Sequence, residues 1–323
     1  MPLLLTSPRR RRTTTLAGLT AATLLTLTAC GGGSDKVPSV NGAGAQAGGA
    51  YDKIITSAPT ADSGTVDASA WAKKIKSQGY LKVGGTDSGP LFSIKDLDTG
   101  ELTGFDAGLS QMLAHYITGK TDVKALTKLT ITSVDTRETL LQNNTVDAVF
   151  ATYSITPERA QKVAFAGPYY QSGDAIMVKK GNTDIKSAKD LDGKTVATES
   201  NSTAALAVKK VAPKAKVLLF REDAQCVAAV QQGRADAYVL DQGILLGDAQ
   251  SNPKVEVLGG DPFTVDPYGI GLNKGSDAKA FVNTFLQKIY ASGDWAKLWK
   301  ATIGTVIKGD APQPPKIGSV PGS

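Results

Sequence analysis

Short apolar runs and helical stripes alternate along most of the chain. The segments 81–86, 129–134, 148–152, 175–179, 195–198, 217–220, 237–240, 255–258 and 269–273 are brief, apolar and bounded by polar turns, and they read as strands. Between them, 105–117, 137–142, 202–211, 224–232 and 279–290 carry the spacing of amphipathic helices. Phe281, Phe285 and Ile289 recur every four residues and form the apolar face of the last of these. Gly293 breaks the chain there, and Asp294 is placed to cap a further short helix bearing Trp295, Leu298 and Trp299. Such alternation predicts an α/β architecture with largely parallel sheets.

The pattern also repeats. Leu141 to Ala148 is a helix end, a polar turn and a strand start, and Val230 to Ala237 follows the same plan. In each copy an aspartate, Asp147 or Asp236, precedes the strand. Five residues later a polar side chain ends it, Thr152 in one copy and Asp241 in the other. Open α/β sheets bind ligands beyond the carboxyl ends of their strands. Two copies therefore predict two sheets with a cleft between them, lined by both sets of strand ends.

The first residues follow a different logic. Arg9 to Arg12 precede an apolar run from Leu16 to Leu27, the length of a signal-peptide core and too short for an ordinary bilayer span. The run ends in Leu27-Thr28-Ala29-Cys30, which resembles a bacterial lipobox with Cys30 as the lipid acceptor. The paired arginines leave Sec and twin-arginine export both open. The following Gly/Ala/Ser-rich segment is suited to a flexible tether. The expected division is a signal peptide at 1–29, a tether at 30–66, one lobe from 67–171 with 269–309, a second lobe at 172–268, and a disordered tail at 310–323. This predicts a chain lipid-anchored on the extracytoplasmic face of the cell membrane.

Charge and cysteine content exclude more than they propose. The formal charge is +6, but four arginines and no acid lie in residues 1–29, which leaves +2 for the rest. No basic patch with interleaved aromatics points to nucleic acid. Cys226 has only Cys30 as a possible partner and reads as a small core residue. His115 stands alone, so no Cys/His metal cluster is expected, and no cofactor.

The candidate chemistry lies at the strand ends. Thr156-Pro157 begins a helix with Arg159 in its first turn, where a cation opposes the helix dipole unless an anion sits nearby. The guanidinium fork matches a carboxylate, and Thr152 and Ser154 add hydroxyls. In the second copy Ser202 and Thr203 open a helix whose free N–H groups suit an anion. Asp241 is the counterpart that can hold an ammonium. Together these groups fit the α-carboxylate and α-amino group of an amino acid.

Several segments, in order, resemble the family-3 extracellular solute-binding proteins of polar amino-acid ABC transporters. They are Gly104-Phe105-Asp106, Ser154-Ile155-Thr156-Pro157-Glu158-Arg159, Phe165-Ala166-Gly167-Pro168-Tyr169, Asp190-Leu191-Asp192-Gly193-Lys194-Thr195-Val196, Gly233-Arg234-Ala235-Asp236-Ala237 and Tyr268-Gly269-Ile270-Gly271-Leu272. Thr152-Tyr153-Ser154-Ile155-Thr156 and Gln225-Cys226-Val227 resemble the glutamate-binding lipoproteins of Gram-positive bacteria within that family. The resemblance implies a type II periplasmic-binding-protein-like fold: two lobes, two mostly parallel sheets and a two-crossover hinge near 170–175 and 265–269. It implies that Arg159 and the Ser202-Thr203 backbone hold the ligand α-carboxylate, that Asp241 holds its α-amino group, and that Thr152 and Ser154 join them. One departure concerns the turn at Gly85-Thr86-Asp87. Glutamate-binding relatives often carry a basic residue there, and Asp87 would instead suit an amide or cationic side chain. Lys82 and Lys95 are the nearby cations in sequence.

The resemblance thus implies the binding subunit of an ABC importer. It would be a monomer that captures an amino acid, glutamate first, and delivers it to a permease with its ATPase subunits. Glutamine, asparagine, aspartate or a basic amino acid is the alternative ligand. A cyclohexadienyl-dehydratase-like enzyme on the same fold, with Glu199 as its acid or base, is the remote alternative, and a ligand sensor is a third.

Overall fold

The structure, a computed structural model, describes residues 44–323, so Cys30 and the proposed signal peptide lie outside the described residues. Two five-stranded sheets organise it. The first has the spatial order Thr127–Ile131, Leu81–Gly85, Ala148–Val149, Asp266–Leu272, Ala164–Ser172. The second has the order Lys216–Phe220, Thr195–Glu199, Ala237–Asp241, Asp174–Lys179, Val255–Val257. In each sheet the first three strands are parallel and the last two join antiparallel. A small three-stranded sheet, Ser88–Gly89, Ser93–Lys95 and Leu102–Thr103, flanks the first lobe.

The sequence repeat is a structural one. Asp147 accepts the Lys82 N–H at 3.0 Å, and its own N–H donates to the Lys82 carbonyl. Asp236 accepts the Thr195 N–H at 2.7 Å, and its N–H donates to the Thr195 carbonyl. In both lobes the aspartate before the middle strand of the sheet therefore clips the start of its parallel neighbour, Leu81–Gly85 or Thr195–Glu199, fixing the register that aims the strand ends at one cleft.

The chain crosses between lobes twice, and the crossings are stitched together. Ser172 pairs with Asp266, and Asp174 pairs with Asp241. The Thr264 hydroxyl accepts from the Asp174 N–H and donates to Asp266, both at 2.6 Å. Gly173 is confined here, because a Cβ would strike the Thr264 carbonyl.

The first lobe has a central helix, Phe105–Thr118, buried along its whole length. It is covered in part by a helix at Gly44–Thr56, whose Tyr51 and Ile55 are buried and whose Tyr51 hydroxyl donates to the Gly104 carbonyl at 2.8 Å. This corrects the tether boundary at 66. The Gly/Ala-rich run stops before Tyr51, and the apolar residues after it have a core to enter. The 310–323 segment lacks regular secondary structure but is not free. The Gly318 N–H donates to the Gly167 carbonyl at 2.8 Å, and Val320 packs on the small core cluster of Leu141, Val146, Tyr153 and Phe165. His115 is buried between the carbonyls of Lys120 and Ala58, and Cys226 is fully buried, so both serve the core. Among the described residues no helix is long and apolar enough to cross a membrane.

Candidate functional site

The first lobe contributes the segment that follows Ala148–Val149. Thr152 adopts a left-handed backbone, φ 45°, which costs energy for a β-branched residue. It is held there by Asp106, which accepts from the Thr152 N–H at 2.7 Å and from the Tyr169 hydroxyl at 2.7 Å. Burial pushes the Asp106 carboxyl up to about 6, against the pull of these two bonds and of Arg137. This turn sinks Tyr153 into the first lobe's core and presents Ser154 toward the second lobe.

Arg159 lies in the helix Pro157–Lys162, capped by Thr156. Its side chain is buried. One guanidinium nitrogen donates to the Ser154 carbonyl at 2.8 Å and the other to the Asn201 carbonyl of the second lobe at 3.0 Å. Arg137, at the first position of its own helix Arg137–Gln142, is buried beside it. Its Nη1 donates to the Ala151 carbonyl at 2.9 Å, its Nε has no partner, and its guanidinium stacks 3.9 Å from the centre of the Tyr153 ring. Arg159 approaches the same ring at 5.4 Å. Burial, then the charge of Arg159, lowers Arg137 to about 10. Neither arginine is in a salt bridge among the described residues.

From the second lobe comes the end of Thr195–Glu199 and the helix Thr203–Val211. Ser202 caps that helix, accepting from the Ala205 N–H at 3.1 Å, and its hydroxyl donates to the Glu199 carbonyl at 2.7 Å. The Ser202 side chain is therefore committed to the cap. The amides that follow it head the helix. The Thr203 hydroxyl is 3.5 Å from that of Ser154, across the seam between lobes. Asp135 spans the same seam, accepting from the Ser200 hydroxyl at 2.9 Å and from the Asn201 side chain. Glu199 is half-buried, and burial, then Asp223, pushes its carboxyl up to about 8.

Asp241 ends its strand and is buried with Oδ1 unpartnered. Burial, then Asp266, raises it to about 6, while Arg137 favours its ionised form. Phe92, Tyr170 and Tyr268 form an aromatic group beneath the seam, with ring centres 5.5 to 5.8 Å apart, and Phe92 faces Gly243 of the second lobe. Pro90 and Leu91 meet Gly247 on the same helix, Gln242–Ser251. The lobes are closed on each other.

The structure thus brings Ser154, Arg159 and Thr203 together at one seam, with Thr152 and Ser202 close to them in the chain and Asp241 near enough for its charge to act on Arg159. Asp87 is half-buried, and its side chain bonds to none of these groups; its carbonyl accepts from the Lys95 N–H at 2.8 Å. Lys95 is exposed, and Lys82 spends its backbone on Asp147. Sequence reasoning missed Arg137, Asp106, Asp135 and Phe92. The signal for Arg137 was available: like Arg159, it is a cation at a helix start, where the dipole disfavours it.

Comparison with known proteins is decisive at the family level. Residues 81–305 match the family described as bacterial extracellular solute-binding proteins, family 3. The chain belongs to this family. It is 37% identical over 215 residues to the ABC transporter glutamine-binding protein GlnH of Bacillus subtilis, covering 66% of this chain and 77% of that one. It is 38% identical over 178 residues to the glutamate-binding protein GluB of Corynebacterium glutamicum, covering 52% and 59%. Among solved structures it is similar to a mutant of ArgBP from T. maritima, a protein also solved bound to arginine, with TM-score 0.65, 30% identity, and 72% and 99% of the two chains covered. It is also similar to an ancestral arginine-binding protein bound to glutamine, with TM-score 0.63, 34% identity, and 70% and 98% covered. The family-3 protein described here is an amino-acid-binding protein of the ABC-transporter type, with the two-lobed type II fold.

Proposed function

We propose that this family-3 protein captures L-glutamate in the seam between its lobes and delivers it to an ABC permease, tethered to the outer face of the membrane through lipidated Cys30. The carrying observation is the charge pattern. Among the described residues two buried guanidiniums, Arg137 and Arg159, lack a carboxylate partner, and one buried carboxylate, Asp241, lacks a cation. Unpaired buried charge is costly, so the site is complete only with a ligand that carries two carboxylates and one ammonium. Arg159 and the helix start at Thr203 take the α-carboxylate, Asp241 the α-ammonium, and Arg137 the side-chain carboxylate. Thr152 and Ser154 add polar contacts. Glu199 holds its proton up to about pH 8 and donates rather than repels. The protein binds without turnover.

A second reading, glutamine, is favoured by Asp87, which suits an amide, and by the likeness to GlnH. A thermal-shift panel of the twenty amino acids, followed by calorimetry, separates the two. Glutamate is expected to give the largest shift. Arg159→Ala should weaken every amino acid by about 100-fold, since stripping one member of a buried charge pair costs about 3 kcal/mol. Arg137→Gln should weaken glutamate about tenfold more than glutamine. A wild-type preference for glutamine or arginine, or an unchanged ratio in Arg137→Gln, overturns the glutamate assignment.

A further inference from the structure

Amino-acid capture uses Asp241 but leaves two acids beside it without a task. Asp174 stands directly opposite Asp241 in the antiparallel pair of the second sheet. Asp266 begins the returning strand, opposite Ser172. One oxygen from each of the three carboxylates lies within 4.8 Å of the others. Asp174 is fully buried, and among the described residues neither of its oxygens has a hydrogen-bond partner. Asp241 has one unpartnered oxygen, and Asp266 receives the Thr264 hydroxyl. None of the three is in a salt bridge among the described residues.

This arrangement is hard to account for as packing. Like charges directly opposite in a strand pair repel. A buried carboxylate without donors forfeits its hydration and gains nothing in exchange. Three buried carboxylates, Asp174 among them with no donor, converge where the chain crosses between lobes, a position set by the backbone and not by flexible side chains. A cavity of about 360 Å³ lies at the same crossing, lined by Ser172, Gly173, Gln242, Thr264 and Val265, the chain neighbours of all three acids, with exposed Asp261 at its edge. The three acids lie beneath this lining, next to it in the chain.

We propose that Asp174, Asp241 and Asp266 bind a hard cation of the calcium type, held by oxygen ligands at the crossing of the two interlobe strands. The spacing fits. A calcium ion takes oxygens at about 2.3–2.6 Å in a flexible shell, so its ligands sit up to about 5 Å apart; magnesium, which requires about 2.0–2.1 Å in a strict octahedron, is the competitor that the titration tests. An all-oxygen set without thiol or imidazole selects against zinc and copper. Sequence reasoning expected no metal because it searched for Cys and His, and these acids are 25 to 92 residues apart in the chain. The ion ties the end of the second-lobe strand to both crossing strands and stiffens the hinge. The sharing of Asp241 between ion and ligand ammonium rests on the amino-acid reading above; Asp174 and Asp266 do not depend on it.

The test uses the full chain, freed of metal by chelator and then titrated with calcium, magnesium or sodium at about pH 8.5, since burial and its two acidic neighbours raise Asp174 to about 8 and a proton competes for the site. Calcium is expected to raise Tm saturably within about 10 mM, as extracellular sites do. Asp174→Asn and Asp266→Asn should each weaken that response at least about tenfold. Both variants should still show a glutamate-induced shift. Absence of a saturable calcium response, or an unaltered one in Asp174→Asn, overturns the proposal, and the cluster is then satisfied by protons or by the ligand alone. Loss of all amino-acid binding with the calcium response intact overturns the capture reading and leaves the ion site standing.

Discussion

At the residue scale, the second lobe carries an acid network whose protons govern stability. Asp248 is raised to about 9 by burial and then by Asp223, and Glu199 to about 8. Asp223, also raised by burial, accepts the Tyr238 hydroxyl at 2.7 Å. Unfolded carboxylates release their protons near pH 4. Between about 4 and 8–9 the folded chain therefore holds protons that the unfolded chain has lost, and stability falls as pH rises through that window, by about 1.4 kcal/mol per pH unit for each proton retained. Ligand-free protein should melt several degrees lower at pH 9 than at pH 5. Asp248→Asn and Glu199→Gln should each flatten the profile, as read by calorimetry across pH; a steeper profile in either variant would contradict the assignment.

At the scale of elements, closure depends on two glycines. Gly243 and Gly247 lie on the helix Gln242–Ser251, where Phe92 and the Pro90-Leu91 turn of the first lobe seat against them. An added Cβ at 247 collides with Pro90. Alanine favours a helix over glycine by about 1 kcal/mol, so Gly247→Ala should leave the ligand-free Tm unchanged or higher. Its ligand affinity should nonetheless drop by on the order of tenfold, because binding and closure are linked. Calorimetry paired with melting curves separates this from ordinary destabilisation. The same helix marks the limit of what the sequence shows. It was missed because both its faces are covered, with Gly243, Ile244, Leu245, Gly247 and Asp248 all buried, so it shows no amphipathic stripe. The strand Ala164–Ser172 was missed because Gly167-Pro168 within it reads as a turn. By contrast, 137–142 and the strands beginning near 81, 148, 195 and 237 were legible, since a polar turn and a one-sided apolar pattern bound each. Of the site, Thr152, Ser154 and Arg159 announced themselves through local chemistry. Asp106 and Asp135 act only through partners about 45 and 65 residues away, a separation that no local pattern encodes.

At the scale of the molecule, the last residues support the site from behind. Val320 covers the cluster that contains Tyr153, and Gly322 lies against Ile155 and Ala160. Tyr153 is the ring on which both arginines stack. Deleting 310–323 exposes that cluster and should cost about 1–2 kcal/mol of stability, the worth of one buried aliphatic side chain. Glutamate affinity should weaken by a few-fold as the ring loosens, and an unchanged melting temperature would show that the tail contributes nothing.

The helix Gly44–Thr56 and the closing residues 318–322 rest on the same lobe. A pull applied through either end would therefore enter the molecule through that lobe. Such a load reaches the second lobe through the two crossings and through the seam bonds of Arg159 and Asp135.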